Sequence, residues 1–307
     1  MQRRPPSAER VFRSRKRRRR KRFRFIRKRR ILWKRLLPFL LLLACLLYAL
    51  ISLIIAWHDS AQTRRTNAEL EAIMQAATQA PIEATPTPEA VPTITAEPTA
   101  TPVPTLLESY QYIGTELLPE AQELYARNPD LVAWLKIPGG IVNLPVVYRD
   151  NTYYLDHDYN GKKSSSGTLF LDEAHPLRED TQLLVIHGHN VYDGSMFGLL
   201  SHYRRRGYMY EHPTVYFNTL YRQEEYQVVG VIMTPEDVYA EDYVPYVGRQ
   251  NFKTVQQFND FIATLRANAR DWNDEIEILP SDALLALSTC YEDERIVVLC
   301  VRKEPIS

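Results

Sequence analysis

The sequence predicts a mostly-β globular domain, a barrel or a sandwich, carried behind a membrane anchor and a proline-rich stalk. Three observations predict it. From residue 131 onward, eight short runs rich in Val, Ile, Leu and Tyr alternate with turn residues, the pattern of a barrel or sandwich. One stretch of 22 residues, 36–57, carries no charge, and a helix of about 20 such residues spans a bilayer core. Between these two regions Pro recurs every few positions among Thr and Ala.

The charge is distributed very unevenly. A formal net charge of +1 hides 19 of the 38 Lys and Arg within residues 1–35, beside a single acid, Glu9. From residue 36 on, 19 basic side chains face 36 acidic ones, a net of −17. A basic tail on an acidic body implies two environments. The uncharged stretch "LLPFLLLLACLLYALISLIIAW" separates them. Its apolar run is too long for a cleaved signal peptide, so it reads as an uncleaved anchor, with Pro38 near its start where a helix tolerates it. The positive-inside rule puts residues 1–35 in the cytoplasm and the chain beyond residue 58 outside. A basic tail at a membrane pairs with anionic headgroups; the membrane, and no nucleic acid, is its expected partner.

The stalk spans 58–105. Residues 60–79, rich in Ala, Glu and Gln, read as a short helix, and 80–105 as extended polyproline-type chain. At about 3.1 Å per residue, that second part reaches roughly 80 Å. The folded domain then occupies 106–307, opening with one or two short helices around "TELLPEAQELYARNPD". The β runs cover 131–138, 141–148, 167–172, 182–188, 213–220, 225–233, 283–290 and 295–302. A helix in "NFKTVQQFNDFIATLRANA" fills the long connection between the sixth and seventh runs, with Phe252, Val255, Phe258, Phe261, Ile262 and Leu265 at helical spacing. Connections that long are usually functional.

Cysteine usage is sparse for an exported chain. Cys45 lies in the anchor, which leaves Cys290 and Cys300 either to pair or to stand alone. Alternation from Arg295 puts Val297, Leu299 and Val301 on its face and Ile296, Val298 and Cys300 on the other. Cys300 is then a small buried hydrophobe. Cys290 ends an apolar run at a polar step, where a retained thiol suggests chemistry. A thiol nucleophile needs an imidazole partner. His187 and His189, in "QLLVIHGHN", share a face at a strand end, and periodicity does not choose between them. Arg295 opens the next run, where a pairing with Glu292 or Glu294 would be ordinary. Together, a thiol, an imidazole and a permanent cation supply a nucleophile, an acid/base and an oxyanion stabiliser. The carboxylates of "YEDE" are too local for a cation cage, and the chain lacks Cys/His metal-ligand spacing, so no metal and no cofactor is expected.

"LSTCYEDERIVV" resembles the active-site strand pair of sortases, in which Leu-X-Thr-Cys is followed by an arginine on the next strand. "HGHNVYDGSMFGLL" resembles their histidine loop, with the functional residue in Gly-His-Asn. "NTYYLDHDYNGKKSSSGTLFLD" and the helix before the last two runs resemble class B members. The resemblance covers about residues 107–303 and implies an eight-stranded sortase-type β-barrel with N-terminal helices. It also implies His189, Cys290 and Arg295 as the catalytic set, with substrate contacts from Asn151, Leu155, Ser288, Thr289 and Tyr291. The family's usual Thr at the start of the motif is Ala286 here, and a second histidine, His187, precedes the functional one.

The implied reaction is transpeptidation. A cysteine attacks a sorting-signal carbonyl, leaves a thioester, and passes the acyl group to an amine. The expected partners are secreted proteins bearing sorting signals, and an amine of a peptidoglycan precursor or a pilin lysine. The expected site of action is the outer face of the cell membrane. An anchored cysteine peptidase acting on wall peptides and a non-catalytic surface-binding module are the competing readings.

Overall fold

The computed structural model describes residues 9–79, 116–178, 181–248 and 251–303, with side chains from residue 36. The chain divides into two compact units, 1–58 and 59–307. Helix α1 is assigned over Glu9–Gln79 and contributes to both. In the first unit the side chains of Leu36 to Trp57 are exposed. Among the described residues this is the one helix long and apolar enough to cross a membrane. The stalk expected over 80–105, and the start of the globular domain up to residue 115, lie outside the described residues.

In the second unit, residues 59–79 of α1 and α2 (Pro119–Arg127) pack against the sheet. Leu70, with Ile73 and Met74 at i+3 and i+4, meets Leu124, Leu131, Trp134 and Phe170. Thr63 Oγ1 lies 3.0 Å from Ser164 Oγ, and Arg127 pairs with Glu69 at 2.8 Å. Sequence reasoning assigned 58–79 to the stalk because Ala, Glu and Gln dominate it. A three-residue apolar stripe is enough to dock it on the domain.

The sheet contains β1 (Leu131–Ile137), β2 (Val142–Val147), β3 (Leu169–Leu171), β4 (Leu183–His187), β5 (Thr214–Thr219), β6 (Glu225–Pro235), β7 (Ala269–Trp272), β8 (Leu284–Tyr291) and β9 (Glu294–Arg302). Their order is β5-β1-β2-β3-β4-β8-β9-β6-β7, and a β5–β6 pairing closes eight of them into a barrel. Each of the eight expected runs holds one barrel strand. Most neighbours are antiparallel; β2/β3 and β4/β8 are parallel. The ninth strand, β7, was not expected. It is four residues long, carries Arg270 and Asp271, and lacks alternation, so only its pairing with β6 through Gly230, Val231 and Ile232 defines it.

Alternation sorts the last strands into two cores. Leu285, Leu287, Ile296, Val298 and Cys300 point into the barrel. Leu284, Ala286, Val297, Leu299 and Val301 point outward, beneath Phe258, Phe261 and Leu265 of α4 (Val255–Ala267), the helix that follows the one-turn α3 (Tyr208–Glu211) in the chain. Burying each such side chain stabilises the fold by about 1.5–3 kcal/mol. That gain on both faces fixes the register, because a one-residue slip would exchange them. The cap of α4 is Thr254, whose side chain accepts from the Gln257 N–H. All three cysteines are free thiols.

Truncating Leu70, 1% exposed in its cluster, tests whether the helix belongs to the domain. Leu70→Ala should destabilise the 59–307 unit by about 2–4 kcal/mol, read as a lower melting temperature of the full chain in detergent micelles. An unchanged transition would leave that segment an appendage.

Candidate active site

The site grows out of three adjacent strands. In the parallel β4/β8 pair, His187 lies opposite Ser288. His189 follows on the loop that leaves β4, two residues beyond that pair. Across the antiparallel β8/β9 pair Cys290 lies opposite Arg295. Neighbouring strands are about 4.8 Å apart, so a thiol and a guanidinium face each other at the barrel end, and the loop that carries the imidazole leaves the adjacent strand at that same end. The strands are buried up to this end and the polar step follows it. The two-residue connection starts with Glu292 at φ 55°, a left-handed conformation suited to a tight hairpin.

Backbone contacts hold these segments in place. The Gly188 N–H donates to the Ser288 carbonyl at 3.2 Å, and Thr289 Oγ1 donates to the Gly188 carbonyl at 2.8 Å. A Cβ at Gly188 would overlap Leu169 and Phe197, so only glycine lets the loop pass this close. The Phe197 N–H donates to the His189 carbonyl. His189 Nε2 donates to the Leu155 carbonyl at 2.7 Å. A carbonyl only accepts, so Nε2 carries the hydrogen and Nδ1 is the basic nitrogen of the neutral ring.

Arg295 is fixed from two sides by the chain that follows β6. The Tyr246 hydroxyl interacts with its guanidinium and sits 2.8 Å from Ser288 Oγ. Glu236 Oε1 accepts from Arg295 Nη2 at 3.0 Å and from the Cys290 thiol at 3.5 Å. Burial pushes the Cys290 thiol up, Arg295 draws it down, and Glu236 adds to the rise; the net direction is upward. Burial opposes the charge of Arg295, but Tyr246, Cys290 and Glu236 together outweigh it and raise its pKa. The resting pair is a neutral thiol beside a permanent cation.

His187 has a different partner. Its Nε2 meets Asp172 Oδ2 at 2.9 Å. Burial raises the Asp172 carboxyl, but the His187 hydrogen bond and charge and the Ala174 N–H leave it below its ordinary value. Asn151 completes the network: Nδ2 donates to Asp172 Oδ2 at 3.1 Å and Oδ1 accepts from the Glu173 N–H at 2.9 Å.

The expected substrate-contacting side chains do not form one set. Leu155 is 40% exposed, next to the histidine it holds. The amide of Asn151 is engaged at both ends. Ser288 and Thr289 are each 1% exposed: alternation puts one under Tyr246 and the other against the Gly188 loop. The Tyr291 ring lies 3.7 Å under the Arg204 guanidinium and packs on the barrel interior. Arg295 pairs with Glu236 rather than Glu292 or Glu294. Glu236 and Tyr246 escaped sequence reasoning, because both lie more than 40 residues before Cys290; the length of their connection was the one available signal.

A sortase domain model matches residues 135–303. Sortase B of Listeria monocytogenes is 28% identical over 192 residues, covering 61% of this chain and 75% of the relative. Sortase B of Staphylococcus aureus is 26% identical over 187 residues, covering 59% and 73%. Among solved structures, sortase B of Bacillus anthracis matches with a TM-score of 0.61 at 21% identity, covering 81% of this chain and 99% of that one. The structure of sortase B of Clostridium perfringens matches with a TM-score of 0.54 at 25% identity, covering 60% and 99%.

The Leu155 carbonyl depends on Gly167, which has φ +60° and lies so close that a Cβ would overlap the carbonyls of Tyr154 and Leu155. Gly167→Ala should cost about 1–3 kcal/mol and move the acceptor of His189. The imidazole signals of His189 in NMR spectra should shift while those of His175 stay in place; unmoved His189 signals would disprove the link.

Proposed function

We propose, on the premise that this chain belongs to the sortase family and is a class B cysteine transpeptidase, that Cys290, His189 and Arg295 carry its reaction on sorting signals of secreted proteins. The observation that supports this most is the pairing of Cys290 with Arg295 across β8/β9, with His189 on the loop that leaves β4 beside them.

The chemistry follows from the environment of each group. Cys290 is protonated at rest, since burial and Glu236 outweigh Arg295, so attack requires the thiol proton to leave as the C–S bond forms. His189 is the proton carrier, with Nε2 held by Leu155 and Nδ1 available for exchange. Cys290 Sγ attacks the carbonyl of a sorting-signal Thr. The oxygen becomes an oxyanion, and Arg295 stabilises it in a half-buried setting where a fixed cation is worth more than in water. The C–N bond then breaks, His189 protonates the departing amine, and a thioester remains. An acceptor amine attacks the thioester, gives up a proton to His189 and releases the sulfur. The acceptor is an amine of a peptidoglycan precursor or a pilin lysine.

Placement matches this task. The basic residues 1–35 stay inside, the apolar helix spans the membrane, and the barrel works on the outer surface.

Cys290→Ala should abolish cleavage of Pro-Xaa-Thr-containing pentapeptides and remove the thioester adduct from mass spectra. Adding an amine acceptor to the unmodified enzyme should give a ligated product. Full cleavage by the variant would end the proposal, and hydrolysis without ligation would reassign the chain as a peptidase.

A further inference from the structure

The mechanism above leaves Glu236 unused, although its carboxylate touches both reacting partners. Its Oε1 is 3.5 Å from Cys290 Sγ and 3.0 Å from Arg295 Nη2. An oxygen that contacts the nucleophilic sulfur and the oxyanion-binding guanidinium together stands where the substrate carbonyl oxygen must stand at attack. We propose that Glu236 is a self-inhibitory latch: without substrate its carboxylate occupies the oxyanion position of the site, and a sorting signal must displace it. This rests on the catalytic reading of Cys290 and Arg295 given above.

The placement is set by the backbone. β6 runs to Pro235, pairing Thr234 with Arg295 and Pro235 with Glu294. The Glu236 N–H then donates to the Asp293 carbonyl at 3.1 Å, tying this residue to the hairpin that carries the active-site strands. The chain beyond is steered by the Val244 N–H, which donates to buried Thr234 Oγ1 at 2.8 Å. The side chain itself is half exposed, against 27% for Arg295. An ion pair open to water is weak and exchanges readily, so the carboxylate can swing into solvent while Arg295 stays in its strand beside Tyr246.

The latch also sets the state of the thiol. Arg295 from β9 and Glu236 from the end of β6 are the charged groups acting directly on Cys290. Tyr246 and Tyr243, on the connection after β6, act on Arg295. His189 and the His187–Asp172 pair stand on the β4 side. Of these, Glu236 raises the thiol by charge and by accepting its hydrogen bond. Releasing it therefore lowers the pH at which the thiolate forms. Substrate entry would unblock the oxyanion site and ease ionisation of the nucleophile in one displacement.

Glu236→Gln keeps the shape and removes the charge. In the full chain in detergent micelles, alkylation of Cys290 by iodoacetamide should set in at lower pH, with the midpoint down by about 0.5–1 unit. At pH 7 that corresponds to alkylation about 3–10 times faster. With the Pro-Xaa-Thr peptides as probe, kcat/KM for cleavage should rise several-fold, mainly through KM. Glu236→Ala should behave likewise, and Glu236→Asp, too short to reach both partners, should fall between. Superimposable alkylation profiles would overturn the latch. So would faster alkylation with slower cleavage, since Glu236 would then assist the reaction. A chain that cleaves none of the peptides but shows the alkylation shift would overturn the sorting-signal reading and, with it, the displacement step, and would leave only the hold of Glu236 on the thiol.

Discussion

The antiparallel pairing of β8 with β9 is the constraint on which the rest depends. It places Cys290 opposite Arg295, and no flexible loop sets that distance. The pairing is held from far away: Leu285, Leu287, Ile296 and Val298 are committed to the barrel interior, and Ala286, Val297 and Leu299 to the layer under α4. A slip by one residue would exchange the two sets and turn Cys290 away from Arg295. Stability and site geometry are thus one property of these strands. β4 joins them in parallel, with the same commitment of alternate residues, so the histidine loop inherits the register. Rigid strands supply the thiol and the guanidinium, and a loop threaded past Gly188 supplies the imidazole.

The electrostatics follow from where these groups lie. At the barrel end the thiol is half buried, which disfavours its charged form. A single guanidinium opposes that penalty, and a carboxylate opposes the guanidinium. The balance leaves a neutral thiol, which is less prone to oxidation than a standing thiolate. Arg295 is kept charged by its neighbours against its own desolvation. In the resting molecule its cation is satisfied by Glu236.

How much of this was legible in the sequence depended on the range of the interactions involved. The eight barrel strands were legible because apolar runs bounded by turn residues are a local signal. The inward orientation expected of Cys300 follows from alternation within β9 alone, and it is fully buried in the interior cluster. The opposition of Cys290 and Arg295 was legible as a strand end and a strand start separated by a short polar step. Beyond one strand pair the signal fades. Alternation put His187 and His189 on one face, and what separates them is Asp172 for one and the Leu155 carbonyl for the other. Ser288 and Thr289, next to Cys290 in sequence, were expected as substrate contacts on the resemblance alone. Tyr246 and the Gly188 loop, both distant in sequence, bury them. β7 has too few residues to carry a period, and α1 beyond residue 58 shows only three apolar contacts among many polar residues.

That last segment shows how a structural element can reach the site without touching it. Arg64 pairs with Asp193 at 3.2 Å, on the loop that runs from His189 to Phe197. Thr63 meets Ser164, and Asp59 accepts from both the N–H and the hydroxyl of Ser165, on the loop leading to Gly167. Gly167 in turn presses on the Leu155 carbonyl that orients His189. The helix therefore braces both segments that hold the imidazole, one through an ion pair and one through hydroxyl contacts. The ion pair is exposed and adds little stability on its own. The bracing is carried by the hydrophobic seating of Leu70 against Leu124 and Trp134, which fixes where the polar contacts fall. The thiol and guanidinium are placed by the barrel itself, whereas the imidazole is placed by loops that the N-terminal helix steadies.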